Sequence, residues 1–193
     1  MRDAHKTQTD AQLIIAAQED PEAFGFLMER YEGQLFHYVR RIGQVSHEDA
    51  QDILQEVFIK IYQKLNEYSS DLKFSSWAYR IAHNHVIDHF RKVNARPKTD
   101  TLSDDEWSRL ISGSIHLEKE VSDKDCAEKV RAVIAALPIQ YREVLMLRFI
   151  DDMDYEEIMD ILKKPKGTVA SLIARGKSLL AREMERVSPG CFT

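Results

Sequence analysis

Apolar residues recur at helical spacing on both sides of a single break in this 193-residue chain. That pattern restricts the fold more than any one motif. The break runs from Asn94 to Asp125, with Pro97, the acidic cluster Asp104-Asp105-Glu106, and few large apolar residues beyond Leu102, Trp107, Leu110, Ile111 and Leu117. No segment shows the alternating Val, Thr and Tyr of a half-buried strand. The expected fold is therefore all-α: two small helical domains, residues 1–96 and 122–193, joined by a flexible acidic linker over 97–121. One short helical turn is expected in the linker, around Trp107.

In the N-terminal half, Met1 to about Thr9 is polar and reads as loose. Asp10 is expected to cap a short helix over Ala11–Glu19 that buries Leu13, Ile14 and Ala17. Asp20-Pro21 pairs a cap with a first-turn proline and opens a long helix ending near Gly43. Ser46, with Glu48 and Asp49 behind it, starts a third helix expected to reach about Asn66. Glu67–Lys73 interrupts with Ser69-Ser70-Asp71, and a fourth helix is expected over Phe74–Lys92. Four helices joined by short turns in under about a hundred residues make one bundle.

The fourth helix, FSSWAYRIAHNHVIDHFRK, sorts into two faces at about 100° per residue. Phe74, Ala78, Ile81, Ala82, His85, Val86 and Val93 share an arc suited to burial. Trp77, Arg80, Asn84, Ile87, Asp88 and Arg91 share the other. Guanidinium groups suit phosphates, an amide suits base edges, and an aromatic can stack on an unpaired base. The same pattern also fits an amphipathic helix with a few apolar residues outside. A metal reading of His83, His85, Asp88 and His89 fails on geometry: His83 and His85 lie about 160° apart on a helix. His85 and His89 have the right spacing but point into the apolar arc, and no Cys/His pattern supplies further ligands. No metal or other cofactor is expected.

The third helix places Asp52, Gln55, Glu56 and Ile59 at neighbouring positions, with Ile53, Val57, Ile61 and Leu65 inward. In the C-terminal half, Val130, Val133, Ile134 and Leu137 mark a helix over Ala127–Leu137 stopped by Pro138, and Gln140–Ile150 a second. Asp154 caps a third over Tyr155–Leu162, Lys163–Gly167 turns the chain, and the last helix is expected over Thr168–Val187. Helix, tight turn with Gly, helix is the helix-turn-helix arrangement, its second helix the groove reader. On that helix Val169, Ile173, Gly176, Leu180 and Met184 face inward. Thr168, Ser171, Arg175, Ser178 and Arg182 face outward, short hydroxyls and guanidinium groups suited to base edges and phosphates, while Lys163, Lys164 and Lys166 can hold the flanking backbone.

A formal net charge of −5 argues against coating DNA by bulk electrostatics, so any DNA contact must be local or shared with a larger partner. Cys126 and Cys191 have no metal spacing, and one lies at a domain boundary, the other in the tail. A structural disulfide between them is not expected, and a reducing cytoplasm fits. The first residues lack an apolar signal core and no run reaches membrane-spanning length, so direct membrane insertion is not expected.

Two stretches carry a family resemblance. The Asp52-Ile-Leu-Gln-Glu56-Val-Phe58 run followed by F-S-S-W-A-Y-R-I-A-H-N resembles region 2 of bacterial sigma factors, in their compact extracytoplasmic-function (ECF) branch. LP-I-Q-YREVLMLRFIDDMDYEEI followed by P-K-G-T-V-A-S resembles their region 4. The resemblance spans nearly the whole chain and implies a sigma factor, not an enzyme, with core RNA polymerase and promoter DNA as partners and no small-molecule substrate. It implies that Asp52, Gln55, Glu56 and Ile59 dock on the polymerase. It implies further that Tyr68, Ser69, Asp71 and Lys73 of the loop, with Trp77, Arg80, Asn84, Asp88 and Arg91, open and read the −10 element, and that the C-terminal helix-turn-helix reads the −35 element. An anti-sigma polypeptide is a further implied partner, since no sensory domain is evident. Ala170, Leu172 and Met159 depart from the family's usual residues, which bears on which base edges are read.

Overall fold

The computed structural model of the protein describes residues 8–93, 124–189 and 191. The expected linker, its turn at Trp107 and both linker boundaries lie outside the described residues. The described secondary structure is helical, with no strand among the described residues. It forms two compact units, one built on the helices before residue 94 together with residues 160–163, the other on the rest of the helices after residue 123.

The first helix, α1, spans Asp10–Glu19, and its cap is Thr9, not Asp10. Thr9 Oγ1 accepts from the Gln12 backbone N–H while Gln12 Oε1 accepts from Thr9 N–H, a reciprocal box that satisfies two free donors. Asp10 is thereby released for tertiary work. Its carboxylate takes Arg30 Nη1 at 2.6 Å and the Tyr31 hydroxyl, tying α1 to α2. Burial, then this hydrogen bond, pushes the Tyr31 phenol well above its ordinary value.

Helix α2, Pro21–Gly43, is the central column of the N-terminal unit. Asp20 Oδ1 accepts from Glu22 N–H at 2.9 Å, Pro21 occupies the first turn, and Gln44 ends the helix in the left-handed region at φ 51°. Leu35, Tyr38, Val39 and Ile42 are fully enclosed, each contributing on the order of 2 kcal/mol by burial. Helix α3, His47–Gln63, is capped by Ser46 Oγ on Asp49 N–H at 3.0 Å. It stops short of the expected Asn66. The Lys64 N–H is shared between Lys60 O and Ile61 O, and the chain tightens into a 3-10 turn at Leu65–Glu67. Helix α4, Phe74–Val93, packs on both α2 and α3.

After residue 123 come α5 (Lys124–Ala136), α6 (Ile139–Phe149), α7 (Tyr155–Leu162) and α8 (Lys166–Val187). Helix α6 is buried on nearly every side, from Tyr141 through Leu147, with Arg142 and Glu143 included. Arg142 Nη2 donates to Leu137 O at 3.1 Å, and burial lowers its guanidinium pKa. Asp154 and Glu157 cap α7 reciprocally at 2.8 and 2.9 Å. Helix α8 begins at Lys166, two residues before the expected start, because Pro165 serves as its cap and accepts from Val169 N–H at 3.0 Å. Gly176 lets α8 close on α6: a Cβ there would lie 3.1 Å from Leu145 Cγ.

The expectation for the cysteines is overturned. Cys126 and Cys191 form a disulfide, with Cα atoms 5.7 Å apart across a separation of 65 residues. Helix α5 packs on α8, and the turn closed by Cys191 N–H on Ser188 O returns the chain to α5. Distance in sequence hid a proximity made by tertiary packing.

Candidate functional site

On α3, Asp52, Gln55, Glu56 and Ile59 are all exposed, while Ile53, Val57 and Ile61 are buried. The wheel separates them because 3.6-residue periodicity leaves positions 52, 55, 56 and 59 on one stripe. Ile59 is 56% exposed, and Tyr62, one turn on, extends the apolar end of the stripe at 43%. The Tyr62 ring is held against Phe24 at 5.1 Å. Sequence reading missed Tyr62, although its i+3 spacing from Ile59 was the available signal. Along this stripe acidic and amide groups run into an exposed apolar pair, Ile59 and Tyr62.

The second surface is the loop and the outer face of α4. Tyr68 is half-buried and donates its hydroxyl to Leu72 O at 2.6 Å; Ser69 Oγ donates to Asp71 Oδ2 at 2.8 Å. Burial, then the Asp10 charge, raises the Tyr68 phenol. Asp71 and Lys73 are exposed. A cleft of about 640 Å³ opens here between α1, the loop and the start of α4, lined by Ile14, Ile15, Gln18, Tyr68, Lys73 and Phe74 among others. Along α4, Asn84, Asp88 and Arg91 are exposed, and Arg80 and Ile87 are half-exposed.

Trp77 does not share that exposure. It is 6% exposed and packs against Phe74 and Tyr68 with ring centroids 5.5 and 5.4 Å away. The outer row is therefore Arg80, Asn84, Ile87, Asp88 and Arg91, with Trp77 beneath its N-terminal end. The first turns of α4 are enclosed nearly all round, since Ser76, Ala78 and Tyr79 are buried too. A two-face wheel does not anticipate a helix sunk at one end and raised at the other.

The histidines also differ from expectation. His83 is buried, its Nδ1 2.9 Å from the Tyr38 hydroxyl. His89 is exposed instead of pointing inward. His85 lies at the α3–α4 seam beside Glu56 and Lys60. Among the described residues, no group of three or more His, Cys, Asp or Glu is placed to hold a metal ion.

The third surface is the outer face of α8. Val169, Ile173, Gly176, Leu180 and Met184 are buried, as the wheel requires. Lys166, Thr168, Ser171 and Arg182 are exposed; Arg175 and Ser178 are half-exposed. The serines bend back along the helix, Ser171 Oγ to Thr168 O at 2.9 Å and Ser178 Oγ to Ala174 O at 3.1 Å. Each hydroxyl oxygen can still accept, though its proton is engaged. The three turn lysines divide. Lys163 is exposed in the left-handed region at φ 53°. Lys164 donates to Glu143 Oε1 at 3.1 Å. Lys166 sits in the first turn of α8, whose cap Pro165 makes no side-chain hydrogen bond. Cationic groups at an N-terminal end that has no side-chain cap favour an approaching phosphate.

Comparison with known proteins gives a consistent picture. The Sigma-70 region 2 family model matches residues 27–96 and the Sigma-70 region 4 model matches residues 127–180. The chain is 32% identical over 174 residues to the ECF RNA polymerase sigma factor SigW of Bacillus subtilis, covering 86% of this chain and 90% of that protein. It is 32% identical over 185 residues to the ECF RNA polymerase sigma-E factor of Escherichia coli, covering 92% of this chain and 95% of the other. Among solved structures, CnrH in complex with the cytosolic domain of CnrY superposes with a TM-score of 0.67 at 22% identity, over 93% of this chain and 99% of that one. The sigma factor RpoE of Bartonella quintana, in complex with the anti-sigma factor NepR, gives 0.61 at 19% identity, over 86% and 98%.

Proposed function

The chain belongs to the ECF branch of the sigma-70 family, and from that premise we propose how its surfaces divide the work of a sigma factor. It directs core RNA polymerase to one promoter class, acting as a specificity subunit with no bond chemistry of its own. The exposed α3 stripe of Asp52, Gln55, Glu56 and Ile59, with Tyr62 added, docks on the polymerase. The loop Tyr68–Lys73 and the α4 row of Arg80, Asn84, Asp88 and Arg91 capture the unpaired −10 strand. The α8 row of Lys166, Thr168, Ser171, Arg175, Ser178 and Arg182 enters −35 duplex, with Lys163 on the backbone. Residues 1–96 and 122–193 act as separate domains on a linker that sets the spacing between the two elements.

The observation that carries this reading is the separation of chemistries. The α3 stripe is acidic and amide with an apolar end, which suits protein; the α8 face has cations and hydroxyls, which suit nucleic acid. With a net charge of −5, the chain needs a larger basic partner to hold DNA, and core polymerase is that partner. Its place of work is the cytoplasm, with the polymerase; no helix among the described residues is long and apolar enough to cross a membrane. A helical anti-sigma polypeptide competes with core for the same surfaces.

The deciding experiment is run-off transcription by core polymerase on a promoter library, with and without the chain. Chain-dependent transcripts sharing −35 and −10 sequences are expected, and charge reversal of Asp52 and Glu56 together is expected to abolish them while leaving the helical signal intact. Chain-independent initiation, or undiminished transcription by the double variant, rules the assignment out. A polypeptide partner that binds at the same time as core would remove the competition model alone.

A further inference from the structure

His85 belongs to α4, yet its imidazole serves two residues of α3. Its Nδ1 lies 2.6 Å from Lys60 Nζ, and its Nε2 lies 2.9 Å from Glu56 Oε2. Its side chain is 11% exposed, whereas that of Glu56 is 65% exposed. Glu56 and Lys60 stand four positions apart, in the order at which a glutamate and a lysine on one helix pair directly. Here the ring from the neighbouring helix stands between them.

Only the neutral ring is compatible with both close contacts. An ammonium group brings hydrogens alone, so Nδ1 must present its lone pair to Lys60, which leaves the ring proton on Nε2, 2.9 Å from the carboxylate oxygen but not aligned with it for a hydrogen bond. Burial, followed by the Lys60 charge, holds the His85 pKa below its ordinary value, in keeping with a neutral ring. The arrangement is directional: ammonium to imidazole to carboxylate, across the α3–α4 seam.

We infer that His85 is a positioning residue for the polymerase-docking face, holding the Glu56 carboxylate and the Lys60 ammonium in fixed rotamers through its ring. It also links the docking face mechanically to the helix that carries Asn84 and Asp88 on its outer side. The inference rests on the reading of the α3 stripe as the docking surface. A solvated glutamate free among its rotamers must be ordered on docking; a glutamate already held avoids that loss, a difference of roughly three- to tenfold in affinity.

The test measures equilibrium affinity of the full-length chain for core RNA polymerase, with thermal melts of each variant. His85→Leu keeps the ring's apolar bulk but cannot bridge, and is expected to weaken core binding by roughly three- to tenfold at an unchanged melting temperature. His85→Gln can accept from Lys60 and donate to Glu56, and is expected to recover most of the loss. In a Glu56→Ala background, His85→Leu is expected to add no further loss. If His85→Leu melts early, the glutamine variant still decides: restored folding without restored affinity overturns the inference. Wild-type affinity in His85→Leu, or an equal loss with and without Glu56, also overturns it. Asp52→Lys separates the two levels. If it binds core normally, the docking reading falls and the inference with it; if it loses core while His85→Leu does not, the positioning role alone falls.

Discussion

The Tyr68 ring meets the Trp77 indole edge to face, with centroids 5.4 Å apart and planes inclined at 63°. Together with Phe74 they form an aromatic cluster where the loop enters α4, and Tyr31 touches Phe74 from α2 at 5.3 Å. The residue that sequence logic would expose for stacking on DNA is thus part of the floor on which the loop rests.

Trp77→Ala should therefore be a stability variant before it is a promoter variant. Removing an indole from a nearly closed site costs on the order of 3–5 kcal/mol, and the loop loses its seat. A lowered melting temperature of the N-terminal domain is the expected result. A variant that melts like the parent but fails to open promoters would place Trp77 on the DNA side instead.

The turn lysines should separate by assay. Lys166→Ala should leave stability unchanged and flatten the salt dependence of DNA binding by about one phosphate contact. Lys164→Ala removes a partner from Glu143, which is only 7% exposed, and should cost about 1 kcal/mol of stability. Lys163→Gly relieves a left-handed residue at φ 53° and should stabilise by about 1 kcal/mol. Denaturant midpoints and salt titrations of the three variants check the order.

Reduction of the Cys126–Cys191 bridge, or Cys126→Ser, should destabilise the C-terminal domain selectively. A crosslink spanning 65 residues removes roughly 4 kcal/mol of unfolded-chain entropy in the simplest account, an upper figure. Differential scanning with and without a thiol reductant should shift the C-terminal transition and leave the N-terminal one in place. Identical traces would show that the bridge contributes nothing.

His85 should titrate below the ordinary histidine range, because burial and then Lys60 disfavour its charged form. A lowered folded pKa means the unfolded chain binds the proton more readily. Its contribution to stability is present above the unfolded value of 6.5 and is lost as the pH falls through the folded value. Proton-detected NMR titration of the ring tests the direction. A midpoint at or above the unfolded value of 6.5 would contradict it.

Much of the local architecture is legible in the residues themselves. Asp20-Pro21 opens α2, Ser46 caps α3, and the inward set Val169, Ile173, Gly176, Leu180 and Met184 is buried. Caps act within one turn and faces follow from helical periodicity, so both are written in neighbouring positions. The cap of α1 lies one residue before the expected Asp10 because Thr9 and Asp10 are both competent, and the choice falls to Arg30 and Tyr31, twenty and twenty-one positions away, which claim the aspartate.

By itself, then, the sequence determined the helices, the inward faces of α3 and α8, and the family. Those depend on spacing within a few residues or on motifs that stand in the chain as written. Tertiary packing alone decided that Trp77 lies beneath the loop, that Glu143 holds Lys164, that Cys126 meets Cys191, and that His85 stands between Glu56 and Lys60. Each joins residues from separate segments, and such a contact exists only once close-packed side chains fix which helices meet and at what depth.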